Sequence, residues 1–449
     1  MSDDRDGKKE PRRPKGEGTA PRQLDDGRWR AELTIGTDTN GKRERKVVYG
    51  ATKSECSRNL RAVIADRDNG ILVTGRPPTL GEWMHHWLEN IAPVKARPRT
   101  LVGYGSYVRT WVDTSKVAKV RLDKLSPEHL EQLYKPMRDA GRSESTVAQL
   151  HRILSRALTV AVRRGRMATN PAKRMDAPQQ AAFDPEVLSP DDARKLRVAA
   201  ENSAGGARWL IALALGLRQG EALGLAWDKI DLDAGQLHVH RELYSLPWKH
   251  GCPEAEADPK AKRPCGRRAD HCKDRHSGGR FVGAPKSDAG KRTVPLPEQL
   301  VPALKAHRAE QLRTRTEEGT RWKGFTSAGG VTLDLVFCQR DGNAIQASKD
   351  WHAWKQFLAA SGVPAVRVHD ARHTAATLLL LMSVDGRVVM DIMGWSVASM
   401  LKRYQHVLDV MRVEAAKKMG AALWAAPAEP EPDNSGVVSM ADFRARRKA

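Results

Sequence analysis

Three separated segments in the second half of the chain carry residue types suited to phosphate chemistry. The first is Ala214-Leu215-Gly216-Leu217-Arg218-Gln219-Gly220-Glu221, an apolar helix running into a glycine-bounded turn that presents Arg218. The second is His369-Asp370-Ala371-Arg372-His373-Thr374, and the third is Met393-Gly394-Trp395, with Tyr404 nine residues after Trp395. Attack of a side-chain hydroxyl on a phosphodiester loads negative charge onto the non-bridging oxygens, so fixed cations must converge on them. Arg218 and Arg372 suit that task, because a planar guanidinium fork donates paired hydrogen bonds to phosphate and keeps its charge. Tyrosine, with a reference pKa of about 10, is a poor nucleophile at neutral pH unless its proton is removed or its phenolate stabilised. His369 is the expected base or hydrogen-bond partner. Each segment alone is commonplace; their conjunction and order carry the information.

In this order the segments resemble the two conserved boxes of the tyrosine recombinases, the phage integrase family. In that family an Arg lies in the first box, His-x-x-Arg in the second, and the nucleophilic Tyr follows a Gly-His or Gly-Trp pair. The resemblance implies a site-specific recombinase that integrates or excises a phage or mobile element through a transient 3'-phosphotyrosyl bond to Tyr404. Trp395 stands where the family more often has His; its indole N–H is donor-only, so it can hold the phosphate but not shuttle a proton. The family's leaving-group acid is a Lys on a β-hairpin between the boxes, and Ala284-Pro285-Lys286-Ser287-Asp288-Ala289-Gly290-Lys291-Arg292-Thr293-Val294-Pro295 resembles that hairpin. Lys286 takes the role by its place before the turn, with Lys291 as the alternative, and Glu221 is expected to orient site groups without reacting. A phosphotyrosyl bond keeps the energy of the broken phosphodiester, so the resemblance implies no ATP and no catalytic metal. The sequence agrees, having neither a Gly-x-x-x-x-Gly-Lys-Ser/Thr phosphate loop nor an obvious two-metal carboxylate cluster.

These residues need elements to place them, and the pattern predicts a multidomain α+β chain. Residues 1–22 read as a disordered basic arm. Over 23–75, the alternation of Trp29, Ala31, Leu33 and Ile35, a turn at Asn40-Gly41, a second strand from Arg43 to Tyr49 and a helix opened by Thr52 to Glu55 predict a small sheet packed on one helix. By resemblance this is a three-stranded arm-type DNA-binding domain, like those of lambda-type and actinobacterial integrases. Residues 76–172 read as helical, opened by the capping box Thr79 to Glu82 and closed by a helix in which Val147, Leu150, Leu154, Ala157, Leu158 and Ala161 repeat at helical spacing. By resemblance this is a SAM-like core-binding domain. The opposite face of its last helix carries Arg152, Arg156, Arg163 and Arg164, either a solvated face or a DNA contact. A linker over 173–186 leads to a mixed, mainly helical catalytic domain over 187–424, and 425–449 reads as a flexible tail.

A net charge of +22 over 449 residues, with Lys and Arg spread along the whole chain, favours a polyanionic partner through phosphate neutralisation. Double-stranded DNA attachment sites are the expected partner. By family analogy a tetramer of the chain pairs two such sites, with an excisionase and a DNA-bending protein as accessory partners. The apolar runs Trp209 to Leu217 and Ala375 to Met382 are far shorter than the roughly 20 residues that span a bilayer. The first twenty residues hold no apolar stretch of secretory type, so the bacterial cytoplasm, at the nucleoid, is the expected location.

One stretch, 248–280, exceeds the minimal pattern. Cys252, Cys265 and Cys272, with His250, His271 and His276, fall within 27 positions that have few apolar residues to build a core. A structural zinc could replace that core, held by Cys252, Cys265, Cys272 and either His271 or His276, of which His276 is preferred. The alternative is a disordered basic loop with incidental thiols. Two rival functions share parts of the pattern: a DNA-binding regulator that keeps the fold without catalysis, and a type IB topoisomerase.

Overall fold

The computed structural model describes residues 16–37, 43–68, 77–180, 186–252, 265–404, 412–413, 415–420 and 423. The Asn40-Gly41 turn, residues 1–15 of the expected arm and the expected tail at 425–449 lie outside the described residues. The chain divides into two compact units, Met1–Ala182 and Phe183–Ala449.

The first unit opens with a three-stranded antiparallel sheet in the order β1 (Arg22–Gln23), β2 (Trp29–Thr37), β3 (Arg43–Gly50). Period-2 alternation puts Ala31 and Leu33 on one face, where they pack with Cys56 and Leu60 of α1 (Lys53–Asp68). That helix starts where Thr52 Oγ1 accepts from the Glu55 amide at 3.1 Å. Residues 16–22, expected in a disordered arm, are partly built into this sheet. The Thr19 amide donates to Glu32 O at 2.7 Å, the Glu32 amide donates to Thr19 Oγ1 at 2.8 Å, and Pro21 is buried. Backbone pairing of this kind requires no apolar side chains, so composition does not announce it.

The helical part of the unit comprises α2 (Leu80–His86), α3 (Pro98–Tyr107), α4 (Pro127–Asp139) and α5 (Glu144–Arg163). The predicted capping box closes: the Thr79 amide donates to Glu82 Oε2 at 2.7 Å and the Glu82 amide to Thr79 Oγ1 at 3.3 Å. All six apolar positions predicted on α5 are buried, and Trp83 Nε1 from α2 donates to Ala157 O at 3.0 Å. Each buried Leu of that stripe is worth roughly 1.5–3 kcal/mol, which makes α5 the central support of the bundle.

The second unit contains α6 (Pro190–Glu201), α7 (Ala207–Ala214), α8 (Gln219–Leu223), α9 (Leu300–Glu318), α10 (Ala347–Ala360), α11 (Val368–Leu381) and α12 (Gly386–Met393). After α12 comes a 3-10 turn over Ala398–Tyr404. Ser189 caps α6, accepting from the Asp192 amide at 3.1 Å. The buried Arg208 on α7 and Asp350 on α10 form a paired ion bridge at 2.9 and 3.1 Å, and Gln219 at the start of α8 donates to the same carboxylate at 2.8 Å. Removing one partner of such a pair typically costs about 3–5 kcal/mol, so the bridge fixes the backbone next to Arg218.

The strands of this unit differ from the expected simple hairpin. A short β4 (Ile230–Asp231) and β8 (Arg292–Pro295) flank β5 (Gln236–Val239), whereas β6 (Glu242–Leu246) pairs with β7 (Gly279–Gly283). The registers Val239↔Arg292 and Glu242↔Gly283 make one long antiparallel ribbon. One leg runs straight through His240-Arg241, while the other bulges over 284–291. Lys286 therefore sits on a bulge in the ribbon's flank, and the ribbon's far end carries the Cys/His stretch. The described part of the unit is completed by the hairpin of β9 (Phe325–Thr326) and β10 (Thr332–Leu333). No helix among the described residues is long and apolar enough to cross a membrane.

Candidate active site

Arg218 stands at the N-cap of α8, where its amide donates to Glu221 Oε2 at 3.0 Å and its Nη1 to Oε1 at 2.6 Å. Its Nη2 reaches across to Gly394 O at 3.1 Å. Arg372, buried on α11, donates from Nη1 to Gly216 O at 2.7 Å and from Nη2 to Met393 O. The consecutive carbonyls of Met393 and Gly394, at the end of α12, thus bring the two guanidinium groups to one place. Two glycines make this possible. Gly394 is left-handed (φ 60°), and a Cβ there would lie 2.8 Å from Ala289 O on the ribbon bulge. Gly216 has φ 57°, and a Cβ there would lie 2.8 Å from Met393 Cε.

Glu221 is the hub of the charges. Its carboxylate, 1 % exposed, accepts from Arg218 and also from Arg292 Nη2 at 3.1 Å. Burial raises its pKa, but Arg292 and Arg218 outweigh burial and hold it below the ordinary range. Arg292 goes on to donate to Ile392 O at 2.6 Å and Gly290 O at 3.1 Å, tying β8 and the bulge to the end of α12. Sequence reasoning missed Arg292. The signal was its period-2 register with the buried Val294, which turns it inward. Burial and then Arg218 push Arg372 down to about 9, a cost that an anionic phosphate between the two arginines would relieve.

Tyr404 ends the 3-10 turn and is fully buried. Its hydroxyl lies 2.5 Å from His373 Nδ1, and its ring stacks on Trp395 with centroids 5.5 Å apart. The Arg372 guanidinium lies 5.9 Å from the centroid of the same indole. The hydroxyl contact was expected from His369, and here it comes from His373. His369 meets the His373 ring edge-on at 5.0 Å. The two histidines are i,i+4 neighbours on one face of α11, a spacing that could have pointed to His373. His369 has an exposed edge, yet the surrounding protein and then Arg372 lower its pKa from the ordinary 6.5, which leaves the imidazole neutral at pH 7.

Lys286 is exposed and, among the described residues, has no ion-pair partner, whereas Lys291 lies 3.8 Å from Asp288. In the first unit Arg152, Arg156, Arg163 and Arg164 are all exposed and line one groove with Lys95. Arg152 is steadied by Gln149 at 2.8 Å and Arg156 by Tyr104 at 3.4 Å.

The Cys/His stretch corrects one expected ligand. The side-chain donors of His250, Cys252, Cys265 and Cys272 lie within 4.8 Å of one another, and His276 is not among them. Its Nδ1 lies 2.8 Å from Ser277 Oγ and its Nε2 3.1 Å from His250 O. The reason is the ribbon's register. His276 pairs with Lys249 across the ribbon, and its ring is held by Ser277 and the His250 carbonyl, outside the cluster. His271 is exposed beside Asp270.

A family model described as the phage integrase family matches residues 281–410. An integrase of Saccharopolyspora erythraea is 34% identical over 425 residues, 89% of this chain and 95% of that protein. A XerC-like tyrosine recombinase of Caldanaerobacter subterraneus subsp. tengcongensis is 29% identical over 398 residues, 87% of this chain and 95% of that one. Among solved structures, the Tn1549 transposon integrase in complex with transposon right end DNA matches with a TM-score of 0.59 at 18% identity. That match covers 76% of this chain and 99% of the other, a likeness of fold.

Proposed function

Since this chain belongs to the phage integrase family of tyrosine recombinases, we propose that it integrates or excises a mobile element by cutting DNA with Tyr404 through a 3'-phosphotyrosyl bond. It is a site-specific DNA recombinase, and DNA is its partner. The observation that carries the assignment is the convergence of Arg218 and Arg372 on the adjacent carbonyls of Met393 and Gly394, beside the Trp395 and Tyr404 rings.

In this reading the scissile phosphate replaces those carbonyls as acceptor and takes paired hydrogen bonds from both guanidinium groups. Trp395 adds an indole donor, and Glu221 with Arg292 keeps Arg218 aimed. Tyr404 leaves its buried contact with His373 to reach the phosphorus, and His369 accepts its proton or stabilises the phenolate. The tyrosine oxygen then bonds to phosphorus as the bond to the 5'-oxygen breaks, and Lys286 protonates that oxygen. The phosphotyrosyl linkage retains the energy for rejoining, so the step needs neither ATP nor a metal. Arg152, Arg156, Arg163 and Arg164 contact the DNA backbone from the helical unit, and the sheet of residues 22–50 serves as an arm-type binder. Four copies pair two sites, with an excisionase and a bending protein setting direction, in the bacterial cytoplasm at the nucleoid.

A plasmid carrying two copies of the DNA that flanks the gene tests this function. Exchange between the paired segments is the expected product. Relaxation of any supercoiled plasmid with no paired-site requirement would replace this reading with a topoisomerase.

Two further results follow for the roles. Lys286→Ala should cleave ordinary DNA slowly but recover nearly fully on a 5'-bridging phosphorothiolate, whose sulfur leaves without a proton, while Lys291→Ala stays mild on both. The reverse pattern would move the acid to Lys291. The pKa of His369 lies below 6.5, so protonation removes the base only below that pH. The acid limb of kcat/KM, which reports the free enzyme, should therefore fall below pH 6.5. A limb above that value, unchanged in His369→Gln, would remove His369 from the proton's path.

A further inference from the structure

Among the described residues, the far end of the ribbon holds together without an apolar core. Beyond β6 and β7 the two legs stay paired by reciprocal backbone hydrogen bonds between Lys249 and His276, at 3.0 and 3.1 Å. Arg275 lies over the Trp248 ring at 4.9 Å, and Gly278 is so close that a Cβ there would come within 2.3 Å of Trp248 Cα. Past that point none of the described residues among 249–276 belongs to a hydrophobic cluster. Yet Cys252 and Cys272 are only 5% and 3% exposed, and Cys265 is half-buried. The three thiols and one imidazole nitrogen are gathered against one another, two of the thiols fully buried.

We propose that His250, Cys252, Cys265 and Cys272 bind one zinc ion as a closed structural site that staples the tip of the ribbon. A tetrahedral ion with bonds of about 2.3 Å to sulfur and about 2.0–2.1 Å to nitrogen has S···N edges of about 3.6 Å and S···S edges of about 3.8 Å. His250 Nδ1 lies 3.6 Å from Cys265 Sγ and 3.9 Å from Cys252 Sγ, and every donor pair falls within 4.8 Å. All three cysteines are free thiols. Three thiols and an imidazole make the donor set that selects zinc over magnesium or calcium, and four protein ligands leave no open position for catalysis. Each leg of the ribbon supplies part of the set, His250 and Cys252 from one side and Cys272 from the other, and Cys265 joins them from the loop between. Binding expels the three thiol protons to solvent, so the ion locks the two legs together and stabilises the tip. The exposed Lys249, Arg267, Arg268, Lys273 and Arg275 are then displayed on a fixed scaffold.

Full-length protein, expressed with zinc and dialysed against metal-free buffer, should carry about one zinc per chain by elemental mass spectrometry. Cys252→Ser and Cys265→Ser should lose it, and His250→Ala should weaken it at least about tenfold against a chelator, the scale of losing one ligand's support. His276→Ala should keep it. If the serine variants fail to fold, cobalt exchanged into the wild-type chain gives the reading, through strong thiolate charge-transfer absorption with tetrahedral ligand-field bands. Absence of metal and of cobalt uptake in the wild type would overturn the proposal. So would a disulfide among these cysteines in non-reduced peptides, or loss of metal in His276→Ala with retention in His250→Ala. None of these readouts depends on DNA cleavage, so their failure leaves the recombinase reading intact.

Discussion

Tyr404→Phe should bind its DNA site almost as the parent chain does and form no covalent adduct with it. The ring is what packs here: it stacks on Trp395 at 5.5 Å inside a cluster with Ala376, Leu380 and Met393, and phenylalanine keeps all of that. Only the oxygen is lost, together with its 2.5 Å contact to His373. Leaving that buried imidazole one partner short costs about 1–3 kcal/mol of stability, which a folded domain of this size tolerates. The affinity change should stay within about the tenfold that one lost hydrogen bond can account for. Suicide substrates nicked near the cut site trap the adduct of the parent chain; an equal yield from the phenylalanine variant would show that another residue attacks.

Arg218→Lys and Arg372→Lys should each slow cleavage by about 10²–10³, the usual cost of removing one preorganised donor from a developing oxyanion. Affinity should change far less. A lysine keeps the charge but not the fork, and each arginine here works by its fork. Arg218 spans Glu221 and Gly394 O, and Arg372 spans Gly216 O and Met393 O, so neither geometry can be rebuilt from a single ammonium. Arg372→Lys should be the more severe in stability, because it buries a more strongly hydrated cation in the place of a weakly hydrated one. Single-turnover cleavage on pre-bound DNA separates chemistry from binding, and near-normal rates in either variant would move the phosphate clamp elsewhere.

Much of this architecture was legible in the sequence because local rules decided it. Thr79 to Glu82 and Ser189 to Asp192 announce helix starts through side chains that reach the backbone three residues on. The α5 stripe announces its buried face by spacing alone. The site was legible for a related reason: Arg218, Arg372, Trp395 and Tyr404 lie in short segments whose order survives without knowledge of the fold. What escaped was set by long-range register. Arg292 reaches Glu221 and Ile392 only because β8 pairs with β5. The Lys286 segment was read as a hairpin turn, and only the pairing of β7 with β6 and of β8 with β5 turns it into a bulge. His250 was passed over for His271 or His276 because linear spacing does not say how the two legs of a ribbon pair, and His276, paired with Lys249, lies outside the cluster. His373 lies beside the motif residue Arg372, and only the packing of α11 against the segment ending at Tyr404 sets it against the hydroxyl.

The most direct test of the central claim is to digest the trapped protein–DNA adduct and identify, by tandem mass spectrometry, which residue carries the nucleotide. The account predicts a single modified peptide with a 3'-phosphonucleotide on the oxygen of Tyr404, released by tyrosyl-phosphodiester hydrolysis and absent when Tyr404 is phenylalanine. A nucleotide on a serine, on another tyrosine, or joined through a 5'-phosphate would contradict it.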